Sequence, residues 1–232
     1  FMVYITGDMH GEAKRFSNRK LKHLSKDDVL MICGDFGFIW NGSEQENSFL
    51  AEIGEKPYKT MFVDGTHENF ELLEKYPIEE IFGGKVHHIS GNLYHMIRGE
   101  IFTIDNETYF AFGGGDSPDR EIRIAAETWY KQEMPSVDEM TYAVENLNKY
   151  DYKIDYVITH EPSGNARGLM DSRSEISAIG SFFDELAKNV KYKCWYFGSV
   201  HFDRRVSGRN QAVFTEILPI HAKVKKKRSK FL

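Results

Sequence analysis

An α/β layered fold is predicted for this 232-residue chain by three features of its sequence. Short apolar runs alternate with helical stretches between residues 2 and 75, the pattern of parallel strands joined by crossovers. From about 85 to 112 the runs shorten and are separated by Gly-Asn, Arg-Gly-Glu and Asp-Asn-Glu, which signals antiparallel hairpins. Five apolar runs end in Asp or His, and in open α/β sheets ligands gather outside the carboxyl ends of the strands. A sheet of mixed direction, or two packed sheets, accommodates all three.

The first run, Val3-Tyr4-Ile5-Thr6, enters Gly7-Asp8-Met9-His10-Gly11. Asp8 and His10, one residue apart at a strand end, can turn a carboxylate oxygen and an imidazole nitrogen onto one cation. Glu12 to Leu24 is polar and basic, with Phe16, Leu21 and Leu24 spaced for a surface helix. The second strand, to Cys33, leads into Gly34-Asp35-Phe36-Gly37, whose glycines let backbone approach a ligand. Phe38, Ile39 and Trp40 are expected to tuck under the core rather than to rim a cleft. Residues 44 to 55 suggest a helix, and the strand ending at Val63 opens into Asp64-Gly65-Thr66-His67-Glu68-Asn69.

After the hairpins, Gly113-Gly114-Gly115-Asp116 lacks the Gly-Lys-Ser/Thr ending of a nucleotide phosphate loop. Arg120 and Arg123 then stand ahead of Trp129. Either these groups overhang a phosphorylated substrate, or they are surface arginines at a solvated helix start. A helix is expected over 136 to 149, opened by Ser136. The strand Tyr156-Val157-Ile158 follows and enters Thr159-His160-Glu161. Next come a Gly-rich loop at 163 to 168, a helix over 174 to 189, and the strand Cys194 to Phe197 leading into Gly198-Ser199-Val200-His201. Residues 204 to 206 and 212 to 217 suggest closing hairpin strands.

With 41% hydrophobic and 14% aromatic residues, the chain can build one large core, so a single domain is expected over residues 1–222, ahead of a basic tail at 223–232. The net charge of -5 and pI near 6.0 give no global reason to expect nucleic acid. Lys223 to Lys230 is expected to be solvated, with a weak grip on RNA or DNA as the sharper alternative. Cys33 and Cys194 sit in apolar runs and suggest buried thiols in a reducing compartment. No apolar run approaches membrane-spanning length and no leader pattern precedes Val3, so the cytoplasm is the expected location; Phe1 ahead of Met2 looks foreign to the natural chain. Oligomeric state is left open.

Carboxylate oxygens and imidazole nitrogens without a thiolate suit divalent manganese, iron or zinc. Asp35 is well placed to bridge two such ions, and an ion pair roughly 3.5 to 4 Å apart activates water and neutralises a transferring phosphoryl group. That constellation points to phosphate ester hydrolysis.

Gly7-Asp8-x-His10-Gly11, Gly34-Asp35, Gly65-x-His67-Glu68, Thr159-His160 and Gly198-x-x-His201 resemble, block by block and in order, the calcineurin-like metallophosphoesterases. Gly34 to Trp40 and the stretch from Asp119 to Trp129 resemble small bacterial and phage-type members. The resemblance implies a two-sheet sandwich flanked by helices, a four-layer α/β/β/α arrangement acting on a phosphorylated substrate. It implies that Asp8, His10, Asp35 and His201 hold a first metal, that Asp35 and His160 belong to a second, and that His67 protonates the leaving oxygen. Manganese is the first expectation, with iron or zinc as alternatives.

Three positions depart from the family pattern. Thr66 stands where an amide is usual and Ser199 where an imidazole is usual, and both losses fall on the second metal, which is therefore expected to be weak. Phe38 replaces a carboxylate that orients the catalytic histidine, a role for which Asp64 or Glu68 is the candidate substitute. His23, His87, His88, His95 and His221 match no block and are assigned to surface or packing roles. An active enzyme and an impaired member that binds metal or a phosphoryl ligand without efficient turnover are both consistent with these changes.

Overall fold

The computed structural model describes residues 2–220; the basic tail and His221 lie outside the described residues. Two mixed sheets, of seven and six strands, carry the fold. In the first, β1 (Val3–Gly7), β2 (Val29–Cys33), β3 (Lys59–Val63) and β6 (Leu93–Met96) run parallel. The antiparallel pair β4 (Ile78–Ile81) and β5 (Gly84–Ser90) extends one edge and β13 (Leu218–Pro219) closes the other. In the second, β8 (Glu107–Phe112), β9 (Tyr156–Thr159), β10 (Cys194–Phe197) and β12 (Asn210–Ala212) run parallel. There β7 (Ile101–Ile104) and β11 (Arg204–Arg205) pair antiparallel at the edges.

The strands β2 and β10 are apolar at every position because both of their faces are covered. Val29, Met31 and Cys33 of β2 meet Ile104, Ala111 and Ile158 in a core between the sheets. Leu30 and Ile32, pointing the other way, pack with Leu50 and Ile53 of α1 (Glu44–Gly54) and with Phe70 and Leu73 of α2 (Phe70–Leu73). Beyond the second sheet, Val157, Trp195 and Phe197 pack with Ala143 and Leu147 of α4 (Val137–Lys149), Ala166 of α5 (Gly164–Met170) and Phe183 of α6 (Ala178–Asn189). Three apolar layers between four layers of structure give the expected sandwich.

Register decides where the loops begin. Gly7 is level with Cys33 and Cys33 with Val63, while Phe197 is level with Thr159. The segments starting at Asp8, Gly34 and Asp64 therefore leave one sheet in a row, and those starting at His160 and Gly198 leave the other in a second row.

Several elements differ from the sequence expectation. Residues 12 to 24 form two short 3-10 turns, Ala13–Ser17 and Leu21–His23, rather than a surface helix. The apolar positions Phe16, Leu21 and Leu24 are buried as expected, but no side chain caps either turn. The stretch 163 to 168 is helical, because Ser163 caps α5 by accepting from the Ala166 N–H. The helix expected from 174 starts at Ala178, behind the Ser177 cap. A further short helix, α3 (Arg120–Ala125), was not expected from periodicity. Phe38 and Ile39 are buried as expected, whereas Trp40 is 37% exposed.

Candidate metal centre

Each site side chain sits within a few residues of a strand end, and the loops carrying them press together without room for extra atoms. A Cβ at Gly65 would overlap the Asp35 carboxylate, and one at Gly198 would overlap both the Asp8 carboxylate and the Cys33 carbonyl. Four non-glycine residues of these loops, His10, Asp35, Ser199 and His201, hold left-handed φ values of 46°, 43°, 64° and 52°. Such backbone is uncommon away from glycine and collects where surrounding contacts impose it. Asp35 is held by the N–H groups of Thr66 and His67, which donate to Oδ1 at 2.6 and 2.9 Å. The Ser199 N–H donates to both Asp8 oxygens at 3.0 and 3.1 Å.

The resulting cluster brings Asp8, His10, Asp35, His67, His160 and His201 together. His10 Nε2 lies 3.0 Å from His201 Nε2 and 3.8 Å from a carboxylate oxygen of both Asp8 and Asp35. His201 Nε2 is 3.0 Å from Asp8 Oδ2, and His67 Nδ1 is 2.8 Å from Asp35 Oδ2. His160 places one ring nitrogen 3.6 Å from Asp8 and the other 3.6 Å from Asp35. Potential ligand atoms approach within 4.8 Å of one another in three overlapping groups: Asp8-His10-His201, His10-Asp35-His67 and Asp8-Asp35-His160. His67 stands in the second of these groups, beside Asp35.

The electrostatics suit a cation. Burial alone would raise Asp8, but hydrogen bonds with His160 and His201 hold it at about 2. Burial likewise opposes ionisation of Asp35, and the neighbouring His160 and His67 outweigh it, keeping Asp35 far below the carboxylate range. His201 is raised, first by its hydrogen bond to Asp8, whereas burial lowers His10 despite Asp35 and Asp8. Burial disfavours charge on His160 as well, yet Asp35 and Asp8 push it well above an ordinary imidazole. Among the described residues no Lys or Arg pairs with either aspartate side chain, so imidazolium groups balance them when no cation is bound.

The expectation that Asp64 or Glu68 orients His67 is corrected. Asp64 faces away, accepting from His95 at 3.0 Å and Arg98 at 2.5 Å. Glu68 accepts from the Phe36 and Gly37 N–H groups at 2.6 and 3.3 Å. His67 is instead oriented by Asp35, with Thr66 Oγ1 at 3.1 Å from the same nitrogen.

Arg123 does not overhang the cluster. It is buried, pairs with Glu133 at 2.9 Å and donates to the Thr66 carbonyl at 2.6 Å, so it supports the loop from behind. Arg120 lies over the Trp129 ring, 4.4 Å from its centroid. Thr66 Oγ1 lies 3.3 Å from Asp35 Oδ1, while Ser199 Oγ contacts Glu161 Oε1 at 3.2 Å.

Sequence reasoning passed over Arg15, Asp203, Glu161 and Arg167. Arg15 donates to the carbonyls of Asp8, Gly7 and Phe214, and Asp203 accepts from the Phe214 N–H, fixing the ring stacked on His201 at 4.8 Å. Glu161, adjacent to His160 in a motif already singled out, was the one with a signal. Arg15 and Arg167 each join a near neighbour to a distant one, Asp8 to Phe214 and Glu161 to Ser199, and Asp203 reaches the Phe214 backbone, links that no local motif announces.

The model for the calcineurin-like phosphoesterase family matches residues 1–203. No curated protein matches the chain. Among solved structures, it is similar to the crystal structure of the protein of unknown function AQ665 from Aquifex aeolicus, at 15% identity, covering 80% of this chain and 92% of that one, with a TM-score of 0.28. Among the described residues no helix is long and apolar enough to cross a membrane.

Proposed function

This chain belongs to the calcineurin-like phosphoesterase family, and from that premise we infer that it hydrolyses phosphate esters with a divalent metal held by Asp8, His10, Asp35 and His201. The observation that carries the reading is the meeting of two imidazole nitrogens, 3.0 Å apart, over two ionised and buried aspartates. Nitrogen and oxygen donors in this proportion fit manganese first, with iron or zinc as alternatives.

A bound divalent ion supplies Lewis acidity and lowers the pKa of a coordinated water. The chain's own residues do the rest. Asp35 accepts a hydrogen bond from Nδ1 of His67 and orients the ring, so Nε2 is the nitrogen left to donate a proton to the leaving oxygen. The His67 side chain is 42% exposed, open to an incoming ester. A second ion has Asp35 and His160, with Asp8 beside them, but only hydroxyls at Thr66 and Ser199, and is held weakly.

The engagement of Ser199 Oγ by Glu161 favours a second reading, in which the chain binds metal or a phosphoryl ligand without efficient turnover. A chromogenic phosphate monoester and diester, assayed against added manganese with bound metal counted, separate the two. Turnover that rises with manganese and vanishes in His67→Ala supports the enzyme. No hydrolysis at any manganese concentration, with restoration by Thr66→Asn plus Ser199→His, supports the impaired member.

A further inference from the structure

His201 enters the cluster with little to hold it. Its side chain is 53% exposed, its backbone is left-handed, and Nε2 is the nitrogen that faces Asp8 and His10. A ligating imidazole is ordinarily oriented by a hydrogen bond from its other nitrogen to a carboxylate or carbonyl. His160 has such a contact, its Nδ1 standing 3.2 Å from the Cys33 carbonyl. Among the described residues nothing bonds His201 Nδ1. The Phe214 ring lies along the imidazole face instead, with centroids 4.8 Å apart and planes 18° from parallel.

Phe214 is tied to the elements that deliver two of the ligands. Its N–H donates at 2.7 Å to Oδ1 of Asp203, two residues after His201. Its carbonyl accepts from the Gly7 N–H and from Thr6 Oγ1, each at 3.0 Å, and from Arg15, which also holds the Asp8 carbonyl. The approach is so close that a Cβ at Gly7 would lie 2.8 Å from Phe214 Cα. The ring therefore keeps a fixed place relative to both the strand end before Asp8 and the loop of His201.

We propose that Phe214 is a positioning residue for the metal, its ring setting the plane of His201 by stacking where the usual hydrogen bond to Nδ1 is missing. The proposal rests on the metal-dependent reading of the site and adds to it a residue outside the span 1–203 that matches the family. The terminal torsion of a histidine has no sharp minimum of its own, and it is the torsion that swings Nε2 toward or away from Asp8. A parallel aromatic contact at this separation is favourable and restricts that rotation.

Calorimetric titration of manganese into the full chain tests the proposal without requiring turnover. Phe214→Leu keeps apolar bulk but has no planar face, and is expected to weaken manganese binding about tenfold, the lower range for a change just beyond the ligands. Phe214→Tyr restores the face and is expected to bind within about twofold of the parent. Because the ring acts through His201, adding Phe214→Leu to His201→Ala is expected to change the remaining affinity by less than about twofold. Manganese affinity unchanged in Phe214→Leu, equal weakening in Phe214→Leu and Phe214→Tyr, or a loss that persists undiminished beside His201→Ala overturns the proposal. Should Phe214→Leu melt before it can be titrated, Phe214→Met serves with the same expectations. Parent protein that binds no manganese overturns the metal-dependent reading and this proposal with it, whereas parent protein that binds manganese no better than Phe214→Leu overturns this proposal alone. Manganese binding that depends on Phe214, without ester hydrolysis, sinks the enzymatic reading and leaves the positioning role standing.

Discussion

At the level of single residues, the site is governed by how closely backbone and ligand approach. Gly198 has the Asp8 carboxylate and the Cys33 carbonyl where a methyl group would stand, and the left-handed Ser199 follows it. Gly198→Ala should push Asp8 away from His201 and weaken manganese binding about 100-fold, the upper range for disturbing the support of a ligand. Gly83→Ala is the control: its φ of 80° is left-handed, so a side chain strains the backbone there, but nothing lies within 4 Å, and it should lower stability by only about 1 kcal/mol and spare the metal. Calorimetric metal titration and thermal melts distinguish the two. Protons provide a second residue-level test. His160 and His201 are raised by Asp8 and Asp35 and carry protons in the cation-free protein. A metal must displace those protons, so its affinity should increase as pH rises through and above the ordinary imidazole value of about 6.5. Titrations in two buffers of different ionisation enthalpy should show proton release; heats independent of the buffer would contradict the assignment.

At the level of elements, two buried arginines hold the 64–67 loop. Arg98 pairs with Asp64, and Arg123 bridges Glu133, Ser117 and the Thr66 carbonyl. Arg123→Leu leaves the Glu133 carboxylate buried without its partner and should cost about 3–5 kcal/mol. Adding Glu133→Leu should recover part of that loss, which urea denaturation of the single and double variants measures. This support was not legible in the sequence. An arginine ahead of aromatics is read as solvent-facing or substrate-facing, and only the packing of residues some 57 positions apart reveals a buried brace. The helices α1 and α4 were legible because their caps are local: Ser43 accepts from Glu46, and Ser136 forms a capping box with Glu139. Helix α5 was missed because Gly164 and Gly168 act as breakers by propensity, which the Ser163 cap and the Ala166 contact with the second sheet override.

Across the whole molecule, the ligands meet because register aligns strand ends within each sheet and the two sheets bring their carboxyl rims together. The alternation of apolar runs with Asp or His endings exposed this arrangement in the sequence, since it depends on which residue follows each strand. The polar network behind the site was hidden, because β5 and β6 reach it from the hairpin edge. His87 Nδ1 and His95 Nδ1 lie 3.0 Å apart, and His95 Nε2 donates to Asp64. Burial and the neighbouring His95 lower His87 to about 4, against about 6.5 when unfolded. Between these values the unfolded chain takes up a proton that the native one refuses, so stability falls as pH drops from about 6.5 to about 4. Asp64 acts in the adjoining window. Burial opposes its ionisation, but Arg98 and His95 depress it strongly, so its stabilisation is complete above the unfolded carboxylate value of about 3.9 and is lost below it as pH falls through the native value. His160 and His201, raised in the native state, contribute with the opposite sign, and comparing variants in the same metal-free buffers cancels them. His87→Gln should therefore flatten the urea midpoint between about pH 6.5 and 4.5 relative to the parent while preserving the steep loss below about pH 4. Parallel pH profiles of parent and variant throughout would show that His87 titrates freely and that the network behind the loop does not exclude its proton.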